Sequence, residues 1–318
     1  MAQLDGWGRY GVYIFFVLSG ASMYLAYDHK FAQSYSPARF ILLRFARLAP
    51  LFMAVLVMKL AYSILLGRSL LDELSIIFLN TFFLFGMGNP GATSGIIGGW
   101  SLGIEFMFYL MFPVITAIVR RRAWLWMTAL AFISQHIFVH TTLGGQTLES
   151  AWVPYTQLLS FIFYFVAGCT IGRLVRHQAW RRTRWAWMAF AACLLPLASL
   201  HGEGNLVGTT GLLLSLAAAL VVLASAGLPI AGGMAKLADH LGKMSYGVYL
   251  LHPLIYMEVK NQAIVKASPV GAACLIVAAS AILALLAERF YEAPLMRKIQ
   301  GKLGHHSHSR APLHATAT

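Results

Sequence analysis

Long apolar segments alternate with short polar ones along nearly the whole chain. Most of them approach the ~20 residues that a helix needs to cross the hydrocarbon core of a bilayer. Because unpaired backbone groups are too costly in lipid, this pattern predicts helices, not loops or open strands. We therefore predict an all-α polytopic membrane protein with about nine to ten transmembrane helices. The clear spans are expected near residues 10–27, 48–66, 100–119, 122–140, 153–172, 185–200, 206–228, 245–259 and 270–288.

A tenth apolar run, residues 74–88, is shorter than the others. It follows Asp72 and Glu73, carries Asn80 and ends in a glycine-rich stretch. A run of this length and composition either crosses the membrane or dips into it and returns. The number of spans therefore depends on how this run is interpreted.

Composition agrees with the membrane class and changes how the charge is interpreted. Of the 318 residues, 59% are hydrophobic and 11% are charged, whereas soluble domains have about 25% charged residues. A net charge of +13 would suggest nucleic acid as a partner in a soluble protein. Here the basic residues lie between apolar runs, so they indicate topology, and we expect no nucleic-acid partner.

The basic residues favour one topology. If 74–88 does not cross, one side of the membrane keeps only Arg9, Arg68, Lys260 and Lys266. Because positive loops resist translocation, the other side is expected to be cytoplasmic and to hold the C-terminus. We expect one transmembrane domain over residues 1–300 and a disordered cytoplasmic tail over 301–318, without a metal site. The cytoplasmic side would hold Lys30, Arg39, Arg44, Arg47, Arg120, Arg121, Arg122, Arg173, Arg176, Arg181, Arg182, Arg184, Lys236 and Lys243.

Arg44 and Arg47 form a candidate anion site at the predicted cytoplasmic end of the second long span, just before Pro50. Two arginines three residues apart share a helix face and can present two guanidinium groups to one phosphate. The alternative is that they only anchor the helix end on the positive side of the membrane. Spacing alone does not decide between these interpretations.

Glu105 is the candidate catalytic carboxylate. It lies in the apolar run that opens at Trp100, and a charged side chain in such a run costs at least ~2.5 kcal/mol. A carboxylate there can orient or deprotonate a hydroxyl group. Alternatively, Ser101 caps the helix and Glu105 only supports its first turn through the helix dipole.

His252 is the second candidate catalytic residue. It lies seven residues into the span that begins at Ser245, about 10 Å deep at 1.5 Å per residue, and Pro253 follows it. A proline frees a backbone carbonyl, and a histidine titrates near neutral pH, so His252 can act as an acid or base in a cavity. A hydrogen bond from His252 to a tyrosine of another helix is the alternative.

The last span ends in Glu288-Arg289-Phe290-Tyr291-Glu292-Ala293-Pro294. We expect its charged residues to form local pairs or to meet the arginines of the first loop. A structural role is favoured for this segment.

Taken together, five ordered segments resemble the integral-membrane acyltransferase-3 family over about residues 6–297. The resemblance implies that Arg44 and Arg47 act on the donor side. The segments are Gly11–Gly20, Arg44 and Arg47 with Pro50, Trp100–Glu105 with Tyr109 and Pro113, Ser245–Pro253, and Tyr291–Pro294.

This resemblance implies an acyltransferase that moves an acyl group, usually acetyl, from acetyl-CoA to a sugar hydroxyl of an exopolysaccharide or another surface glycan. Its partners would be the bilayer of the bacterial inner membrane, acyl-CoA and the glycan acceptor. Family members normally begin with a further span that carries a histidine central to catalysis. Because this chain starts after that position, we expect either a start upstream of Met1 or an inactive member. A transporter or flippase for a glycan intermediate is the alternative from another class.

Overall fold

The computed structural model describes residues 2–67, 69–121, 123–144, 146–147, 149–177, 184–200, 208–226, 228, 231–259 and 268–308. Every regular element in these ranges is helical, in agreement with the hydrophobic pattern. The helices are α1 (Ala2–Ala32), α2 (Pro37–Leu65), α3 (Leu70–Thr81), α4 (Pro90–Thr93), α5 (Trp100–Val119), α6 (Trp124–Leu143), α7 (Trp152–Tyr155), α8 (Ile162–Arg176), α9 (Arg184–Leu200), α10 (Gly208–Ser225), α11 (Gly232–Val259), α12 (Pro269–Ala287) and α13 (Ala293–His308).

Two predicted features lie partly outside these ranges. Helix α13 extends past residue 301, where the sequence predicts a disordered tail, and residues 309–318 are outside the described part. The arginines and lysines outside it are Arg68, Arg122, Arg181, Arg182, Lys260, Lys266 and Arg310.

Five stretches of helix in the described ranges are long and apolar enough to cross a membrane: Tyr10–Ala32, Pro37–Leu65, Trp100–Val119, Gly208–Ser225 and Val270–Gly301. The remaining predicted spans also form helices, but these are shorter, as in α8 and α9, or carry more polar residues, as in α6 and α11. The membrane class is therefore supported by five helices, and the predicted count of nine to ten is not confirmed.

The short run 74–88 does not form a long helix. Helix α3 has 12 residues, about 18 Å at 1.5 Å per residue, and a bilayer core is about 30 Å thick. A 3₁₀ turn over Leu84–Met87 and the four-residue helix α4 follow it. The buried Asn80 side chain donates to the carbonyl of Thr93 at 2.8 Å, which holds the end of α3 against α4.

The predicted span 153–172 is interrupted near its start. Helix α7 ends at Tyr155, a 3₁₀ turn follows, and α8 begins only at Ile162. The interruption is stable in an apolar environment because side chains contact its backbone groups. Ser160 donates to the carbonyl of Pro154 at 2.9 Å, and the Gln135 side chain accepts from the backbone N–H of Phe163 at 3.0 Å.

The chain divides into two compact units. The first unit comprises residues 1–38, 78–94 and 99–229, and the second unit comprises residues 39–77, 95–98 and 230–318. The first unit contains α1, α5, α6, α8, α9 and α10, and the second contains α2, α11, α12 and α13.

In the first unit, α1 and α8 pack at unusually short backbone separation. A Cβ atom added to Gly20 would lie 2.2 Å from the carbonyl oxygen of Phe165, and one added to Gly168 would lie 2.1 Å from that of Val17. Only glycine permits this approach, and small residues at helix interfaces are typical of membrane bundles. The contact fixes the position of the middle of α1.

Three helices of the first unit run in the same direction. Ser19 of α1 contacts Glu105 of α5, while Asp28, later in α1, contacts Arg120 beyond the end of α5 and Arg176 at the end of α8. Helices α1 and α5 share a direction if the chain crosses the membrane once between them. Helix α2 is long enough for that crossing and α3 is not. The shared direction therefore favours a returning segment at 74–88.

In the second unit, α12 continues into α13 through a π turn over Glu288–Glu292. A π turn inserts an extra residue into a helix and changes the direction of the side chains near it. Glu292, the last residue of the turn, is buried. A Cβ on Gly247 of α11 would lie 2.8 Å from Ala284 of α12, so these two helices also pack closely.

Candidate functional site

Glu105 lies in a buried polar cluster of the first unit, which we call the Glu105 cluster and which consists of Ser19, Glu105 and Tyr109. The Glu105 residue is 5% exposed. Its Oε1 atom accepts a hydrogen bond from Ser19 Oγ at 3.1 Å and a second one from the hydroxyl of Tyr109. Both donors are neutral hydroxyl groups. The carboxylate oxygen is therefore already arranged as an acceptor of hydroxyl protons.

The structure corrects the expected setting of Glu105. Ser101 does not cap the helix. Helix α5 begins at Trp100, its N-cap residue is Gly99, and no side chain caps it. Glu105 lies in the second turn of α5, and it contacts Ser19 of α1 and Tyr109 one turn later. Its partner Ser19 lies nine residues after Tyr10, about 14 Å along the candidate span that begins there. The carboxylate therefore meets α1 near the middle of that candidate span.

A second buried carboxylate in the first unit has a different kind of partner. Asp28 Oδ1 lies 3.0 Å from Arg120 Nε, and Asp28 Oδ2 lies 3.0 Å from a terminal nitrogen of Arg176. Arg173 donates to the backbone carbonyl of Arg120 at 3.0 Å. These basic residues, predicted only as topology signals, therefore also hold the ends of α1, α5 and α8 together.

In the second unit, Arg47 connects its own segment with the Tyr291–Pro294 segment and with Lys243, two residues before the Ser245–Pro253 segment. One terminal nitrogen of Arg47 lies 3.0 Å from Glu292 Oε2, and the other donates to the backbone carbonyl of Lys243 at 3.2 Å. The expectation that charges of the last segment meet the early arginines is confirmed for Glu292. We call Arg47, Glu292 and the Lys243 carbonyl the Arg47 cluster.

The ammonium group of Lys243 is not part of this cluster. It forms an ion pair with Asp239, one turn earlier in α11, with 2.6 Å between Nζ and Oδ2. The hydrogen bond from Lys243 holds the pKa of the exposed Asp239 carboxyl below its ordinary value. Glu292 therefore relies on Arg47, not on Lys243, for its positive partner.

Hydroxyl groups fix α2 on either side of Arg47 and Pro50. Tyr246 donates to the backbone carbonyl of Leu48 at 2.5 Å, and Tyr291 donates to that of Pro50 at 3.4 Å. A proline inside a helix disturbs its backbone hydrogen bonds, so extra donors near it stabilise the kinked segment. Residues in or next to the same segments thus position both the guanidinium group and the backbone beside it.

Arg44 lies one helical turn before Arg47 on α2. Its side chain is partly buried, and its guanidinium carbon lies 5.8 Å from the centre of the Phe40 ring. Helix α2 begins at Pro37, so both arginines lie more than one turn after the start of the helix. The two side chains share a face, as their spacing requires.

His252 is exposed on α11. Its Nδ1 atom lies 3.1 Å from the carbonyl of Val248 in the same helix. Because a carbonyl only accepts, this hydrogen bond requires the proton on Nδ1. The ring is held by the backbone of its own helix, not by the alternative hydrogen bond to a tyrosine of another helix. Helix α11 begins at Gly232, about 30 Å before His252.

The structure places the four predicted site residues in two groups. Arg44, Arg47 and His252 belong to the second unit, and Glu105 belongs to the first. Among the residues whose side chains the structure describes, no three His, Cys, Asp or Glu side chains gather in a way that could hold a metal ion.

Sequence reasoning gave no role to Ser19, Asp28 or Gln135. Each contacts a residue distant in the chain, so spacing does not reveal the contact. Tyr109 was detectable, because it follows Glu105 by four residues and therefore lies on the same face of one helix. Gln135 was not detectable, because it supports an interruption between two helices that the hydrophobic pattern does not show.

The chain is similar to known proteins along most of its length. The family model described as an acyltransferase domain matches residues 1–289. The exopolysaccharide production protein ExoZ of Rhizobium meliloti (strain 1021) is 27% identical over 310 residues, covering 92% of this chain and 90% of that protein. The acyltransferase MdmB of Streptomyces mycarofaciens is 28% identical over 283 residues, covering 78% of this chain and 68% of that protein. No solved structure matches the chain.

Proposed function

Because the chain belongs to the acyltransferase-3 family, we propose that it transfers an acetyl group from acetyl-CoA to a sugar hydroxyl of an exopolysaccharide or a related surface glycan. The chain is an acyltransferase of groups other than aminoacyl groups. The glycan acceptor in this proposal is supported by the similarity to ExoZ, which is named for exopolysaccharide production.

One observation in the structure carries the chemical part of the proposal. The buried Glu105 oxygen accepts hydrogen bonds from hydroxyl groups, and transfer to a sugar requires a group that takes the proton from the acceptor hydroxyl. In this proposal Glu105 is the general base. His252, whose ring is exposed on α11, stays a candidate acid, base or pocket-lining group of the second unit in this proposal.

The donor side of the proposal uses Arg44 and Arg47. A guanidinium group has five N–H donors, and Arg47 uses two of them on Glu292 and the Lys243 carbonyl. Its side chain remains 30% exposed, which leaves the other donors for a phosphate group of coenzyme A. The pairing with Glu292 would hold the guanidinium in one orientation before the donor binds.

We place the protein in the bacterial inner membrane with its C-terminus in the cytoplasm. The clustering of basic residues at the ends of α1, α5 and α8 supports this orientation, because positive segments stay on the cytoplasmic side. Reporter fusions at the C-terminus test it. A fused cytoplasmic fluorescent protein is expected to be active and a fused periplasmic phosphatase inactive; the reverse result would contradict the orientation.

The function is tested in a strain that lacks the gene and is complemented with the wild-type chain or a variant. The wild-type chain should restore acetylated polymer, measured by NMR of the purified polysaccharide. Arg47→Ala should not restore it, whereas Lys236→Ala, which removes an exposed charge from α11, should.

Three outcomes would change the proposal. Full acetylation with Arg47→Ala would remove the arginine from the donor site. Polymer that is not acetylated in the wild-type strain would contradict the acetyl-transfer proposal itself. Loss of polymer export with unchanged acetylation would favour the transporter for a glycan intermediate.

A further inference from the structure

The Glu105 cluster contains a hydroxyl that is placed as a nucleophile. Ser19 Oγ donates to Glu105 Oε1, and Tyr109 donates to the same oxygen from one helical turn away. We propose that Ser19 carries the acyl group as an ester between donor and acceptor, with Glu105 as the base in both steps. This inference rests on the proposed function and deepens it.

The arrangement has the three parts that an activated nucleophile needs. A nucleophile must lie within hydrogen-bond reach of its base, about 2.6–3.2 Å, and a third group must orient the base. Ser19 meets the distance at 3.1 Å. Tyr109 is the third group, because it contacts Glu105 from within the same helix and so fixes the carboxylate relative to α5. We assign Tyr109 as a positioning residue.

The backbone around Ser19 is held in place by close helix packing. The next residue, Gly20, lies directly against the carbonyl of Phe165 in α8, where no larger residue fits. Ser19 therefore cannot move away from α5 without separating α1 from α8. A fixed nucleophile loses little freedom when it reacts, which is a main contribution to catalysis by orientation.

Burial suits an ester intermediate. Ser19 is 8% exposed, and Glu105 and Tyr109 are each 5% exposed. Exclusion of water protects a reactive acyl intermediate from hydrolysis before the acceptor arrives.

Both steps balance with the groups that the proposal names. In the first, Glu105 takes the Ser19 proton, Oγ bonds to the thioester carbonyl carbon, the C–S bond breaks, and the thiol of coenzyme A leaves with that proton. In the second, Glu105 takes the proton of the acceptor hydroxyl, whose oxygen bonds to the ester carbon. The bond to Ser19 Oγ breaks, and Oγ recovers the proton from Glu105.

The test uses the full chain purified in detergent and incubated with labelled acetyl-CoA without acceptor. The protein is then denatured, digested and mapped by mass spectrometry. We expect an acetyl group on Ser19 in the wild-type chain, which disappears when a glycan acceptor is added. Ser19→Ala and Glu105→Gln should show at least a tenfold loss of both the label and acyl transfer.

Ser22→Ala is the matched control. Ser22 lies one turn further along α1, is exposed, and donates only to the carbonyl of Ser19. Its removal should leave label and transfer unchanged. Thermal unfolding of each variant shows whether the fold is intact, and Ser19→Cys provides a second check, because it should accumulate a hydroxylamine-sensitive thioester at the same position.

Several results would overturn the inference. Transfer by the wild-type chain without an ester at Ser19, or with the ester on Tyr109, contradicts it and leaves the proposed function standing. Transfer by Ser19→Ala at the wild-type rate has the same meaning. Absence of any transfer by the wild-type chain overturns the proposed function together with this inference.

Discussion

The Glu105 cluster and the Arg47 cluster both hold a buried glutamate, yet they pair it differently. Glu105 accepts from two hydroxyl groups, and Glu292 accepts from a guanidinium group. A buried charge paired with an opposite charge is compensated and stays fixed. Under the proposed function, Glu105 exchanges a proton with a hydroxyl group. The comparison then separates a glutamate that takes part in the reaction from one that holds helices together.

Each of the two glutamates pairs with a residue that is distant from it in the sequence. Glu292 is 245 residues away from Arg47, and Glu105 is 86 residues away from Ser19. Both contacts join segments that the family resemblance had picked out separately. The motifs therefore mark places where distant helices meet, not independent sites on each helix.

The largest expected effect tests the chemical side of the comparison. Glu105→Gln keeps an amide oxygen that can accept from Ser19 and Tyr109 but removes the base. We expect a fall in acyl transfer of about 10²–10⁴-fold with little change in thermal stability. The measurement is acetyl transfer by purified protein together with its unfolding curve. Activity within a factor of two of wild type would remove Glu105 from the reaction.

The next effect tests the structural side. Glu292→Gln leaves Arg47 without its charged partner. Removing one partner of a fully buried pair costs about 3–5 kcal/mol, and because Arg47 is 30% exposed we expect about 1–3 kcal/mol of lost stability. The check is urea or thermal unfolding in detergent, with Glu288→Gln in the same π turn as control. Unchanged stability would show that the pair does not hold the helices.

A smaller effect is expected at Asp28, the carboxylate of the first unit that pairs with two arginines. Asp28→Asn weakens contacts to Arg120 and Arg176, whose side chains are 33% and 39% exposed. Solvent screening limits the loss of stability to about 1–2 kcal/mol. The loss should shrink as salt is added. A loss that is independent of salt would mean that packing, not charge, holds this end of α1.

The smallest effect concerns a single hydrogen bond in the second unit. Tyr246→Phe removes the hydroxyl that donates to the Leu48 carbonyl and should cost about 0.5–1.5 kcal/mol. Unfolding measurements on this variant are compared with Tyr256→Phe, since Tyr256 is half exposed. A larger loss for Tyr256→Phe would contradict the role given to the Tyr246 hydroxyl.

The helical class followed from the sequence, because apolar runs of sufficient length have no other stable form in lipid. The interruption between α7 and α8 did not follow, because it depends on Gln135, which lies on another helix. The early start of α11, at Gly232, was missed for a similar reason, since its first turns are polar and resemble a loop. Hydropathy detects the apolar part of a helix but not its polar extension.

The sequence by itself determined that the chain is a helical membrane protein, and it marked Glu105, Arg44, Arg47 and His252 as unusual residues. Composition and the cost of charge in lipid are local properties, so one segment is enough to show them. Only the tertiary structure decided that Glu105 meets Ser19 and that Arg47 meets Glu292. Those partners lie on other helices, and which faces meet depends on packing, such as the glycine contact between α1 and α8.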